Sequence, residues 1–157
     1  MSESTARPAP ADATPLAQAV GDAMFARDRA SQMLGMRIEA ISPGRARLSM
    51  RVRPDMVNGH AICHGGLIFT LADSAFAFAC NSRNQNTVAA AAMIDFLAPA
   101  RVDDVLIADA TEQSQSGRTG VYDIVVTSGE TRIALFRGRS HRIQGEVIAG
   151  LLGSEPA

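Results

Sequence analysis

Gly65-Gly66-Leu67-Ile68-Phe69-Thr70-Leu71-Ala72-Asp73-Ser74-Ala75-Phe76-Ala77-Phe78-Ala79-Cys80 is apolar on almost every side. A helix of that kind has to be buried over most of its circumference. The downstream sequence can enclose it: three strand-like runs, Thr87–Ala98, Asp104–Gln115 and Gly120–Ser128, and a fourth, Thr131–Ile143, punctuated by Ser116-Gly117 and Gly129-Glu130. Upstream, Met36–Ile41 and Ala46–Val52 read as two more strands joined by the turn Ser42-Pro43-Gly44. In the second, Ala46, Leu48, Met50 and Val52 alternate with Arg47, Ser49, Arg51 and Arg53, so one face of the sheet is wet. The expectation is an α+β fold in which an antiparallel sheet of about five or six strands wraps a central helix.

The flanks carry less information. Thr14-Pro15 offers an N-cap and a first helical residue, and Leu16, Val20, Met24 and Phe25 recur at helical spacing until Gly35. This predicts a peripheral helix over 15–34. Residues 1–14 read as a disordered tail and 146–157 as a C-terminal tail, leaving a single domain over 15–145.

Composition narrows the classes of function. The chain has 157 residues and a formal net charge of -1, with no basic footprint for nucleic acid or an acidic membrane. No apolar run approaches the roughly 20 residues of a membrane span. Cys63 and Cys80 form no CxxC pair, which fits a reduced, cytoplasmic setting.

Chemistry concentrates just before and within the buried helix. Asn58-Gly59-His60-Ala61-Ile62-Cys63-His64-Gly65-Gly66 brings together an amide, two imidazoles, a thiol and a glycine pair, and Asp73 comes later inside the apolar helix. Polar groups cost free energy there unless they have partners or a task. Gly65 and Gly66 at the helix start are expected to present unpaired N–H groups backed by the positive end of the macrodipole, a ready oxyanion site. Asp73, among Phe69, Phe76 and Ala77, should have a raised pKa suited to a general base or nucleophile. From Gly66 to Asp73 is about 10 Å along one face of the helix, too far for both to serve one carbonyl, because catalytic contacts need about 3 Å. If the two act together, the carboxylate has to come from a second, antiparallel copy of the helix, which a two-fold dimer supplies.

The run NGHAICHGGLIFTLADSAFAFACNS, Asn58 to Ser82, resembles the hotdog-fold thioesterases of the phenylacetate-degradation PaaI type. So do Ile94-Asp95-Phe96-Leu97-Ala98-Pro99, Thr119–Ile124 and Ala134–Ile143. The resemblance implies a hotdog fold and hydrolysis of phenylacetyl-CoA and its ring-hydroxylated relatives to the acid and free CoA. It implies that Asp73 activates water or attacks the thioester carbon, that the Gly65 N–H polarises the carbonyl from the opposing subunit, and that Asn58 and His64 position water and loop. It further implies an acyl-CoA substrate, no metal, no covalent cofactor, and homodimers assembling into a homotetramer. Where some relatives carry a hydroxyl early in the strand after the helix, this chain has Ala89 to Ala92.

Each residue also has a plainer reading. Asn58-Gly59 is a natural turn with positive φ, and His64 can simply cap the helix. Cys63 beside His64 suggests a Cys–His nucleophile, and His60, Cys63, His64 and Asp73 suggest a metal set, although the spacing is irregular for structural zinc. Arg137 and Arg139 share a strand face and, with Gly66, are candidate substrate contacts, the arginines toward the CoA phosphates; the alternative for them is cross-strand ion pairing, with Asp95 and Asp123 as partners. Other classes considered are a hotdog hydratase or dehydratase, for which this helix lacks the required His or Glu, and a non-catalytic acyl-CoA binder.

Overall fold

The computed structural model describes residues 13–151. Two helices, α1 (Ala13–Arg27) and the short α2 (Arg29–Met33), precede strands β1 (Arg37–Ser42) and β2 (Arg45–Arg51). The long helix α3 (Gly65–Asn81) comes next, then β3 (Thr87–Phe96), β4 (Val105–Ser116), β5 (Thr119–Ser128) and β6 (Thr131–Arg142). The six strands form one antiparallel sheet in the order β1-β2-β4-β5-β6-β3. This is the sheet-around-a-helix arrangement expected from α3 and its neighbours. No helix among the described residues is long and apolar enough to cross a membrane.

The alternation in the strands sets which face holds α3. Leu48, Met50, Leu106, Tyr122, Ile124 and Phe136 point inward and are buried against Leu71, Ala72, Ala75, Phe76 and Phe78 of the helix. The Phe76 ring lies 5.4 Å from Tyr122 and 6.1 Å from Phe136, centroid to centroid. Strand β6 passes so close beneath this ring that a Cβ at Gly138 would stand 2.6 Å from Phe76 Cε1. Only glycine fits there without displacing the ring. On the opposite face, cross-strand ion pairs replace apolar contacts: Arg47 Nε to Asp109 at 2.6 Å and Arg137 Nε to Asp123 at 2.6 Å.

Strand β3 is the exception to this division. Among the described residues it pairs only with β6 and closes one edge of the sheet, yet Val88, the alanines Ala89–Ala92 and Met93 are all exposed. An apolar, solvent-facing edge of this kind is a template for another chain.

The N-terminal region departs from the expected single helix over 15–34. It begins at Ala13, so Thr14 lies inside α1 rather than capping it, and it breaks at Asp28. The Asp28 carboxylate accepts from the Ser31 N–H at 2.9 Å and from the Ser31 hydroxyl at 2.6 Å, capping α2. Aspartate competes with the backbone inside a helix and gains as a cap, so the second helix starts afresh. Of the expected disordered tail, residues 1–12 lie outside the described residues, as do 152–157 at the other end. The segment expected to be tail from 146 is tied to the body instead. The Asn84 side chain donates to Ile148 O at 2.9 Å and accepts from its N–H at 2.8 Å.

Candidate active site

The start of α3 is built by its own loop. Asn58 N–H donates to Ile62 O, and Ala61 N–H donates to Asn58 O, each at 2.9 Å. The Asn58 Oδ1 accepts the His60 N–H at 2.9 Å. The positive φ expected at Asn58-Gly59 falls at Ala61 instead, at 57°. A non-glycine residue there carries strain that the three loop hydrogen bonds hold in place. Thus Asn58 spends its carbonyl oxygen on the loop, and its amide nitrogen has no acceptor among the described residues.

His64 is the N-cap of α3: its Nδ1 accepts the Gly66 N–H at 3.0 Å. The Nδ1 lone pair is thereby occupied by the cap. This corrects the expectation that both glycines present free amides. The Gly66 N–H is taken by the cap rather than free, and the Leu67 N–H goes to His64 O at 2.9 Å. Only the Gly65 N–H in this turn lacks an acceptor among the described residues. Gly65 also needs its missing side chain, since a Cβ would stand 3.0 Å from Phe96 Cζ. Asn58, Ile62, Gly65, Phe96 and Pro99 line a groove of about 430 Å³ at this end of the helix.

Asp73 lies two turns farther on and is half-buried. It has no hydrogen-bond or ion-pair partner among the described residues, and burial pushes its carboxyl above the ordinary aspartate value. It opens into a different cavity of about 380 Å³, shared with Met24 and Arg27 of α1, Phe76 and Cys80 of α3, Val88 of β3, and Val147. Met24, Arg27 and Val147 were not anticipated as site residues. Their place depends on α1 and the C-terminal segment folding over the same end of α3, and no local motif signals that. In one chain, then, the carboxylate and the free amide open into separate spaces.

The remaining candidates sort by their surroundings. Burial raises the Cys63 thiol, whose nearest polar partner is His64 O at 3.8 Å, and pushes Cys80 up to about 12. Neither is a thiolate nucleophile. The set His60, Cys63, His64 and Asp73 does not converge, for among the described residues no three His, Cys, Asp or Glu side chains gather to hold a metal. His60 is exposed at the loop tip. Arg137 is bound by Asp123, its directly opposite neighbour on β5, through two contacts of 2.6 and 2.7 Å. That pairing holds the Asp123 carboxyl below its ordinary range. The guanidinium expected to meet CoA phosphates is therefore committed to a cross-strand fork. Arg139 is exposed on the same face, opposite Val121 and Ala91.

Comparisons with known proteins bear on the same region. Residues 60–135 match the family model described as the thioesterase superfamily. The acyl-coenzyme A thioesterase PaaI of Escherichia coli (strain K12) is 47% identical over 126 residues, covering 80% of this chain and 90% of that protein. The structure of the E. coli PaaI protein from the phenylacetic acid degradation operon superposes with a TM-score of 0.84 at 44% identity, covering 85% of this chain and 97% of that one. The TT0310 protein of Thermus thermophilus superposes with a TM-score of 0.72 at 37% identity, covering 74% and 99%.

Proposed function

The chain belongs to the thioesterase superfamily, with the hotdog fold, and from that premise we propose that it is an acyl-CoA hydrolase whose reaction centre forms between two copies of the chain. The observation that carries this reading is the separation of the two halves of the site. Gly65 and Asp73 are eight residues apart on α3, about 12 Å at the helical rise, and they open into separate cavities. A two-fold pairing brings the Asp73 cavity of one copy against the Gly65 groove of the other, twice. The bare apolar edge of β3, running alongside both cavities through Val88 and Phe96, is the natural seam for that pairing.

In the assembled site the thioester oxygen lies against the Gly65 N–H, at the positive end of α3. The Asp73 carboxylate takes a proton from water. The resulting hydroxide attacks the thioester carbon, and negative charge gathers on the oxygen held by Gly65. The C–S bond then breaks, and the departing thiolate receives the proton from Asp73. A carboxyl raised by burial suits both halves of this exchange, because a base works best with a pKa near the working pH. Asn58, its loop fixed through Oδ1, has Nδ2 available to hold the water or the carbonyl, and His64 keeps the helix start in register by occupying the Gly66 amide. If Asp73 instead attacks the carbon itself, the thiolate leaves a mixed anhydride on Asp73, and in heavy-oxygen water its hydrolysis at the Asp73 carbonyl puts label into Asp73, which the general-base route never does.

Phenylacetyl-CoA and its ring-hydroxylated relatives are the proposed substrates, with the aryl group among Met24, Phe76 and Val88. The strong identity to a PaaI acyl-CoA thioesterase supports this choice, as does a cavity in the size range of small-ligand pockets. The paired copies assemble further into a homotetramer in the cytoplasm. A thiol-release assay across aryl, short-chain and long-chain acyl-CoAs tests the reading. Preferential turnover of the aryl thioesters supports it, and a protein that releases no CoA from any of them contradicts it.

A further inference from the structure

Among the described residues, the cavity that holds Asp73 is lined by one other charged side chain, Arg27, in the last turn of α1. Its Nε donates to Ala23 O at 3.2 Å and its Nη2 to Val147 O at 3.3 Å. Among the described residues no carboxylate partners it, and Nη1 has no acceptor. Five other arginines, Arg47, Arg51, Arg53, Arg83 and Arg137, each bind an Asp or Glu, whereas the exposed Arg27, like Arg139, has its fork open to an incoming group. Arg27 and Asp73 also stand apart within their shared space. Arg27 is held at Val147 O, whose neighbour Ile148 is bound by Asn84 just beyond the C-terminal end of α3, whereas Asp73 lies about two turns before that end. The walls they share carry Met24, Phe76, Cys80 and Val88, together with the polar Asn81, Asn86 and Thr87. The cavity therefore has a carboxylate at one end, a cation at the other and a mixed, mainly apolar wall.

Resting on the hydrolase reading above, we propose that Arg27 is a specificity-determining residue that selects acyl groups ending in an oxygen acceptor, a carboxylate above all. With the thioester carbon at Asp73, an arylacetyl group runs along the mainly apolar wall and its ring substituent arrives at the guanidinium. The planar fork of arginine matches a carboxylate with two parallel hydrogen bonds and a phenolic oxygen with one. The preferred order is then carboxylate-ended, hydroxyl-ended, unsubstituted.

The test is kcat/KM for phenylacetyl-CoA, 4-hydroxyphenylacetyl-CoA and 4-carboxyphenylacetyl-CoA, with the wild type, Arg27→Met and Arg27→Lys. The matching pantetheine thioesters, which lack the nucleotide, are run beside them. A hydrogen bond to a charged group carries discrimination of about ten- to a hundredfold. The ratio of carboxylate-ended to unsubstituted substrate is expected to fall by about that factor in Arg27→Met, and by less in Arg27→Lys, which keeps the charge without the fork. The same fall is expected with the pantetheine thioesters. An unmoved ratio in an active Arg27→Met enzyme overturns the proposal. So does an equal loss on all three CoA substrates that disappears with the pantetheine series, which would place Arg27 on the nucleotide. A wild type inactive on every thioester overturns the hydrolase reading and this inference together, whereas an active wild type with an unmoved ratio overturns this inference alone.

Discussion

Replacing Gly65 by alanine separates the stability of the α3 N-terminus from its chemistry. In a helix, alanine is favoured over glycine by about 0.5–1 kcal/mol. The new Cβ would stand 3.0 Å from Phe96 Cζ, closer than the 3.5–4.0 Å or so at which carbon atoms attract. Phe96 is 53% exposed within one chain, so in the separated subunit its ring can shift by a few tenths of an ångström, and there the two effects nearly cancel. Net stability should stay within about 1 kcal/mol of wild type on those grounds. The rate should not survive as well. The Cβ of a helical residue leans toward the helix N-terminus, which here is the side from which a thioester oxygen reaches the Gly65 N–H, and the displaced ring crowds the same groove. A misplacement of about 1 Å costs on the order of a hundredfold. Gly66→Ala is the control: its Cβ meets His64 Nδ1 at 3.1 Å, outside the groove, and its N–H is already taken. Urea midpoints and kcat/KM by thiol release measure both variants. Gly65→Ala losing the more rate while keeping its midpoint supports the assignment of the oxyanion donor. Equal rate losses in the two, or a larger loss in Gly66→Ala, would show that the Gly65 amide has no special role.

Asp73→Asn should cut turnover by about 10²–10⁴-fold, the usual worth of a positioned base, and the acid limb of the wild-type pH profile should lie above the ordinary aspartate pKa. Because burial raises this carboxyl in the folded state, ionising it costs stability once the pH passes the unfolded value. Asp73→Asn should therefore melt higher than wild type at neutral pH, with the gap closing as the pH falls below the ordinary aspartate range; a constant gap across the pH series contradicts the burial account. Gly138→Ala, with a Cβ placed 2.6 Å from the Phe76 ring, should lose about 1–3 kcal/mol by overpacking. Phe76→Leu in the same chain should recover part of that loss, and additive losses in a double-mutant cycle would deny the contact.

Local patterns fixed most of this architecture in advance, and the misses have physical causes. Strand limits were readable because Gly44, Gly117 and Gly129 all take positive φ at the turns that end strands, and because arginines alternate with aliphatic residues along β2. The break at Asp28 was not, since an aspartate in an amphipathic segment looks like a solvent-facing residue until Ser31 is seen supplying the N–H and hydroxyl it caps. At the site, the residue types of the helix start pointed to an oxyanion turn, but which of two adjacent amides remains free depends on the rotamer of His64. Arg27 and Val147 reach the Asp73 cavity from opposite ends of the chain, and such convergence leaves no spacing to read. The apolar run of β3 reads as a strand, and within one chain it is exposed. In the proposed pairing, an outside surface covers it.

Subunit mixing asks whether that outside surface is a second copy of the same chain. Asp73→Ala and Gly65→Ala proteins, each nearly inactive alone, are dissociated, mixed in equal amounts and reassociated, with hybrid formation verified by mass. A shared site gives each hybrid one intact centre of its two, so the mixture should regain about a quarter of wild-type activity by two-fold symmetry and random pairing. Verified hybrids that regain nothing, or a strictly monomeric wild type that still cleaves the thioester, would contradict a reaction centre built from two chains.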